Sequence, residues 1–364
     1  MRLGVAAAVV EDELVPGDVE VDNGLIASVG LDSPDGSGIA VPGFIDIHTH
    51  GYLGVDFSRD DPEAIRAASA GLVSTGVTSF RPTLMSLPEE STAAALARIA
   101  AADSYGSRIL DAHLEGPFLS PEHPGAHSID HLVEPEPELI ERLVVRGRIG
   151  HITIAPELDG ALELIPWLVE QGIVVSIGHS DATAETAHNA FDLGASALTH
   201  VFNAVRPFRH RDPGPVGAAL SREDVFVEMI LDWVHLSAEA AMVAVRAAGP
   251  RLIAITDGME AAGLGDGTYH LGDREVVVRD GEARLADGTI ASSVLTMDAA
   301  FRNLLELGLD LAAAVRATST APARLVGRPG LGSLTPGTVA DVTVLDDDHR
   351  ITMTLVDGDV RFEA

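Results

Sequence analysis

The chain has 364 residues and 46% hydrophobic content, enough for one large domain or a large domain with a small companion. Its formal charge of -31 repels nucleic acid and anionic membranes, and no apolar run approaches the ~20 residues of a membrane span. It has no cysteine and no lysine, which removes thiolates, disulfides, Schiff bases and a carbamylated-lysine metal bridge, so any bridging ligand has to be a carboxylate.

In chain order, the N-terminal segment predicts short strands at Val5–Val10, Asp18–Val21 and Leu25–Val29, then a Ser/Pro/Asp/Gly stretch at Asp32–Gly38. No apolar signal-peptide core is present, and Glu11-Asp12-Glu13 follows the start closely, so a cytoplasmic location is expected. From residue 43 the pattern becomes an alternation. Strand-like runs fall at Gly43–His48, Val77–Thr83, Ile109–Leu114, Gly150–Ala155, Ile173–Ile177, Ala197–His200, Val225–Leu231 and Leu252–Thr256. Between most of them lie helical patterns: Pro62–Ser74, Leu87–Ala102, Pro137–Arg146, Ala161–Gln171, Ala182–Leu193 and Ser237–Ala248. Eight parallel strands alternating with helices describe an α/β fold, the (β/α)8 barrel, over residues 44–334. Hairpin signals at Asp266-Gly267, Asp280-Gly281 and Asp287-Gly288 mark an insertion at about 263–290. Helices resume at Thr296–Leu307 and Leu311–Thr318. The C-terminus returns to strands at Ala340–Leu345, Ile351–Val356 and Asp359–Phe362. Residues 1–43 and 335–364 are expected to pair into one small β-sandwich.

A barrel of this kind keeps its chemistry at the C-terminal ends of its strands. Read in order, those ends deliver His48 and His50, then Glu115, His179, His200, Asp232 with His235, and Asp257. In a strand, residues two apart share a face, so the rings of His48 and His50 can approach one ion. Imidazole and carboxylate without sulfur suit Zn2+ or another divalent first-row metal. Glu115, His179 and His200 make a three-ligand set with an open position. His48, His50 and Asp257 supply a second site, with Glu115 as the bridge, and Asp257 is placed to carry a proton. His113 shares a strand face with Glu115 and is open to a supporting or structural role. Asp46 is expected to support rather than ligate, and Asp181 to cap the following helix.

Taken together, Pro42-Gly-Phe-Ile-Asp-Ile-His-Thr-His-Gly, His113-Leu-Glu-Gly-Pro-Phe, Gly125-Ala-His, Gly178-His-Ser, Thr199-His-Val-Phe-Asn-Ala, Arg211-Asp-Pro-Gly, His235, Thr256-Asp and Ser293-Val-Leu-Thr-Met resemble the N-acetylglucosamine-6-phosphate deacetylases of the amidohydrolase superfamily. The resemblance covers nearly the whole chain. It implies a barrel with a small β-sandwich, one or two divalent ions, and removal of acetate from an N-acetylated amino-sugar phosphate. It implies Glu115, His179 and His200 as main ligands, Asp257 as acid/base, and His127 as the group polarising the acetamide carbonyl. Ala126, Asn203, Ala204, Arg211, His235, Ile290, Ala291 and Ser292 fall on substrate-contacting positions. A homodimer is implied, with the Arg211 segment close to the neighbouring subunit.

Three positions depart from the family pattern. Pro124 stands where a Lys precedes Gly-Ala-His, Trp233 replaces a Gly in Asp-Gly-x-His, and Ser292 replaces a Gly. The last two touch the substrate side and not the ligands. A different N-acyl amino sugar (galacto or unphosphorylated) or a cyclic-amide or deaminase substrate therefore stays open. A catalytically silent barrel is the non-enzyme alternative, opposed by the complete ligand set.

Overall fold

The eight strand-like runs form one parallel sheet wound into a barrel, in a computed structural model that describes all residues 1–364. In chain order the strands are β1 (Phe44–Thr49), β2 (Val77–Leu84), β3 (Ala112–Glu115), β4 (Ile149–Ile154), β5 (Val174–Ile177), β6 (Ala197–Leu198), β7 (Phe226–Ile230) and β8 (Leu252–Ile255). Each pairs with the next in parallel register. Between β8 and β1 the ring closes through the strand ends rather than a ladder. The Asp257 N–H donates to His48 O at 2.9 Å, and the His50 N–H to Gly258 O at 2.7 Å. Below them, Thr256 Oγ1 donates to the buried Asp46 carboxylate at 2.5 Å, so Asp46 braces β8 against β1 in the supporting role expected of it. The expected strand Ile109–Leu114 is split: Arg108–Ile109 lies on the flank of β2, and β3 begins at Ala112.

Helices α1 (Pro62–Leu72), α2 (Glu89–Ala101), α3 (Pro137–Val144), α4 (Ala161–Glu170), α5 (Ala184–Asp192), α6 (Gly214–Leu220), α7 (Ala238–Ala248) and α8 (Met297–Glu306) surround the strands. One apolar cluster of 71 buried residues fills the space between strands and helices. The lumen differs. Arg81, Thr83, His113, His151, Thr153, Ser176 and Glu228 are all buried, so its floor is a polar network enclosed by an apolar shell. Helix α6 was not predicted, because Gly214, Pro215 and Gly217 are poor helix formers. Five of its seven residues are buried, and packing decides the conformation.

The terminal sheet runs in the order Glu13–Pro16, Ala7–Val10, Ile39–Pro42, Val342–Leu345, Ile351–Val356, Asp359–Glu363. The Asp18–Asp22/Leu25–Leu31 hairpin packs with it over a separate core that includes Val5, Val19, Ile26, Val342 and Leu355. The prediction lacked Glu13–Pro16 and Ile39–Pro42. Both end in proline, which a sheet accepts only at edges and strand ends. The insertion is a three-stranded antiparallel sheet, Gly267–Leu271, Arg274–Arg279 and Glu282–Arg284. Asp280 (φ 53°) and Gly281 (φ 78°) give the two positive φ values that a tight hairpin requires. Asp266-Gly267 instead leads into the first of these strands.

A buried ion pair ties the barrel to the terminal sheet. Arg108 donates to Asp341, which is fully buried, at 2.5 Å and to Asp357 at 2.6 Å. Burial raises the Asp341 pKa, and Arg108 opposes that rise. Arg108→Met removes the partner and leaves a buried carboxylate uncompensated. It is expected to cost about 3–5 kcal/mol in a denaturant titration. A loss below about 1 kcal/mol would show that the clamp is not a stability element.

Candidate active site

Glu115 ends β3 with its side chain in the barrel mouth, and five histidines converge on it. Its Oε1 lies 3.0 Å from His200 Nε2, 3.1 Å from His179 Nε2 and 3.5 Å from His48 Nε2. Its Oε2 lies 3.2 Å from His127 Nε2 and 3.3 Å from His50 Nε2. Asp257 Oδ1 completes the group, 3.1 Å from His50 Nε2 and 3.3 Å from His48 Nε2. All seven residues are buried. Strand alternation brings His48 and Glu115 in from β1 and β3. Three others reach the centre because the chain turns sharply at the residue itself: His179 (φ 48°), His200 (φ 27°) and Asp257 (φ 48°) are in left-handed conformation. That backbone is unfavourable for these side chains and is characteristic of functional sites. Two glycines make room. A Cβ at Gly178 would meet Thr153 at 2.7 Å and Thr199 at 2.8 Å, and one at Gly125 would meet the His179 ring at 2.9 Å.

The donor set fits a divalent cation. The His179 Nδ1–H donates to His123 O at 2.9 Å, which leaves Nε2 as a lone pair. That lone pair faces His200 Nε2 at 3.1 Å. The buried His48 Nε2 has no hydrogen-bond partner of its own. Lone pairs and carboxylates converging out of water need a positive charge between them. Burial disfavours charged His50, yet Asp257 and Glu115 outweigh it and push its pKa up to about 9. His48 is raised likewise against burial, chiefly by Glu115. For the carboxylates burial acts upward, but the histidines win, so both Glu115 and Asp257 are held below the usual range. A field that draws protons in this way also draws a metal ion. His48, His50 and Asp257 form one compact set of donor atoms, and Glu115, His127 and His179 another. In the second set His127 is the exception. Its Nδ1 accepts from the Ser86 backbone N–H at 3.2 Å, so the neutral ring carries its proton on Nε2 and is a donor rather than a ligand. Burial, followed by Glu115 in opposition, leaves His127 at a pKa of about 4, so the ring is neutral near pH 7. His200 Nε2 faces the same carboxylate, 3.0 Å from Glu115 Oε1.

Beside this centre opens a cavity of about 240 Å³. Ala126, His127, Asn203, Ala204, His235, Ile290 and Ser292 line it together with Glu115, His179, His200, His50 and Asp257. Met85, Ile230, Leu271 and Thr289 line it too. These four carry no motif signal, since ordinary apolar or hydroxyl side chains reach the cavity only through the fold. Ala291 does not line it and is buried in the core beneath the insertion. Arg211 does not line it either. It is exposed on a tight turn closed by reciprocal backbone bonds between Arg209 and Asp212, each 3.0 Å. His235 is aligned by Asp232, with Nδ1 2.7 Å from Oδ2. Trp233 is 39% exposed and absent from the cavity wall. Ser292 Oγ donates to the Asp257 carbonyl and steadies the backbone of the acid. His113 bonds Thr153 Oγ1 at 2.8 Å and Thr83 Oγ1 at 3.2 Å, which makes it structural. The expected cap at Asp181 is corrected. Thr183 caps α5 by accepting from the Thr186 N–H, whereas Asp181 pairs with His123 and Arg206.

The chain matches the Amidohydrolase family over residues 39–361. It is 37% identical over 324 residues to an N-acetylgalactosamine-6-phosphate deacetylase of Escherichia coli O157:H7, covering 87% of this chain and 86% of the relative. It is 35% identical over 362 residues to an N-acetylglucosamine-6-phosphate deacetylase of Lysinibacillus sphaericus, covering 95% and 94%. A mutant N-acetyl-D-glucosamine-6-phosphate deacetylase of Mycobacterium smegmatis, solved in complex with N-acetyl-D-glucosamine-6-phosphate, superimposes with a TM-score of 0.92 at 35% identity, covering 98% of each chain. A match over most of the chain, with the ligand-type side chains gathered at the strand ends of a barrel, has one reading: the chain belongs to the Amidohydrolase family.

Proposed function

We propose that this chain hydrolyses the acetamide bond of N-acetyl-D-glucosamine 6-phosphate, releasing acetate and D-glucosamine 6-phosphate. The observation that carries the reading is the juxtaposition, in one 240 Å³ cavity, of the Glu115 hub, a neutral His127 donor and an ionised Asp257. Glu115, His179 and His200 would hold a divalent ion, taken here to be Zn2+, and His48, His50 and Asp257 a second, with Glu115 between them. When bound, such an ion acidifies a water molecule to a pKa near 7 and polarises the carbonyl. Asp257 receives the proton of the attacking water and delivers it to the departing sugar amine. The depressed pKa keeps it in the carboxylate form that the first of these steps needs. His127 donates its Nε2–H to the carbonyl oxygen as negative charge develops there. His235, held by Asp232, and the Asn203-Ala204 segment orient the sugar phosphate.

The cavity wall contains no arginine. We place the enzyme in the cytoplasm as a homodimer, in which the exposed Arg211 turn reaches the phosphate bound by the neighbouring subunit. Arg211→Ala should then raise KM for phosphorylated substrate about 10–100-fold, the worth of a charge-assisted hydrogen bond. Activity on unphosphorylated N-acetylglucosamine should be unchanged, and equal loss on both substrates would rule out phosphate contact. The galacto sugar is a second reading, favoured by the N-acetylgalactosamine-6-phosphate deacetylase relative. Acetate release from the gluco and galacto 6-phosphates, measured side by side on metal-loaded enzyme, decides between them. Absence of acetate from both would overturn the proposed activity.

A further inference from the structure

Glu228 sits on β7 as the one acid in an otherwise apolar strand, Phe226–Ile230, and is fully buried. No step of the proposed reaction uses it. By alternation it shares the inward face with Ile230, which lines the cavity, but lies one pleat deeper. Its Oε2 is 3.3 Å from His48 Nδ1. A carboxylate only accepts, so the proton of a neutral His48 belongs on Nδ1 and the lone pair on Nε2. That Nε2 has no hydrogen-bond partner and faces Asp257 Oδ1 at 3.3 Å and Glu115 Oε1 at 3.5 Å. His50, the other histidine of this pair, has a partnerless Nδ1 and receives no such instruction. On the far side of Glu228 lies the floor of the barrel, with His151 Nε2 at 4.0 Å. Arg81 is also buried there, its Nε and Nη1 without partners, and its charge acts on Glu228. A guanidinium and a carboxylate thus share one buried lumen behind His48.

We propose that Glu228 is the positioning residue that commits His48 to metal through Nε2 and thereby sets occupancy of the second metal site. The inference rests on the two-site reading given above. It makes the second ion depend on a carboxylate outside the ligand set. His179 is oriented by a backbone carbonyl instead, so the first ion is independent of Glu228. Carboxylates that accept from the rear nitrogen of a metal-binding histidine typically change metal affinity about 10–100-fold.

The test is a competition titration of metal-free enzyme with Zn2+ against a chromophoric chelator, on wild type and Glu228→Gln. Wild type should take up two equivalents. The variant should bind the second about 10–100-fold more weakly, and the first with affinity within about threefold of wild type. Unchanged affinity for both equivalents overturns the proposal. So does equal weakening of both, which a merely structural role would produce, and so does a wild type that binds a single equivalent. Should Glu228→Gln fail to fold by circular dichroism, long-range 1H–15N spectra of the zinc-loaded wild type, with histidine labelled, decide the matter. His48, assigned by its loss in His48→Asn, should be protonated at Nδ1 and metallated at Nε2; metallation at Nδ1 overturns the proposal. Two bound ions without acetate release would sink the deacetylase reading while leaving this one intact.

Discussion

Asp257→Asn is expected to lower kcat by about 10²–10⁴-fold, the range in which a positioned acid/base contributes. Asparagine keeps the shape of the side chain but cannot take a proton from water or return it to an amine. The change spares Glu115, His179 and His200, so the first ion should survive. Asp257 Oδ1 also lies near His48 and His50, so the second ion should bind more weakly. Turnover measured beside metal content separates the two effects. Loss of kcat in protein that retains its first equivalent assigns proton transfer to Asp257. Near-normal turnover in the same protein would remove that role.

Glu115→Gln should be broader in effect. One carboxylate stands between five imidazoles, with every nitrogen–oxygen distance between 3.0 and 3.5 Å. It is the one residue that faces both groups of candidate ligands. An amide of the same size removes the negative charge and offers one acceptor where there were two. Both ions should be lost, with metal content near zero and acetate release below detection. Stability supplies a second measurement. A ligand that binds only the folded state adds about 4 kcal/mol when present at 1,000 times its Kd. Chelation should therefore lower the melting temperature of the wild type and leave that of Glu115→Gln unmoved. A variant that still responds to chelator would show that the ions do not depend on Glu115.

Much of this was legible in the sequence because the barrel ties position to chemistry. Hydrophobic runs that end in His48, Glu115, His179, His200 and Asp257 mark strand ends, and strand ends of one barrel meet at one mouth. Features that depend on a single contact were not legible. Glu228 carried a signal, an acid inside an apolar strand, but its partner lies on another strand far away in sequence. The tautomer of His127 is set by the backbone N–H of Ser86, and backbone groups have no sequence signature. Helix α6 is built from residues that resist helix formation, so only its burial could reveal it. Arg211 lies in a recognisable motif, yet it stands outside the cavity, because the tight turn that carries it projects the side chain into solvent.

The order of strands in the terminal sheet bears on how the molecule is made. Ile39–Pro42, which leads directly into the first barrel strand, pairs with Val342–Leu345, and Pro42 lies opposite Val342. During synthesis the barrel emerges from the ribosome before that partner exists. The edge of Ile39–Pro42 is therefore left open until translation is nearly complete. Such distant pairings slow folding, because a long stretch of chain has to be ordered before the contact forms. A nascent chain stalled before residue 342 should expose this edge to chaperones, and its release should coincide with arrival of Val342–Leu345.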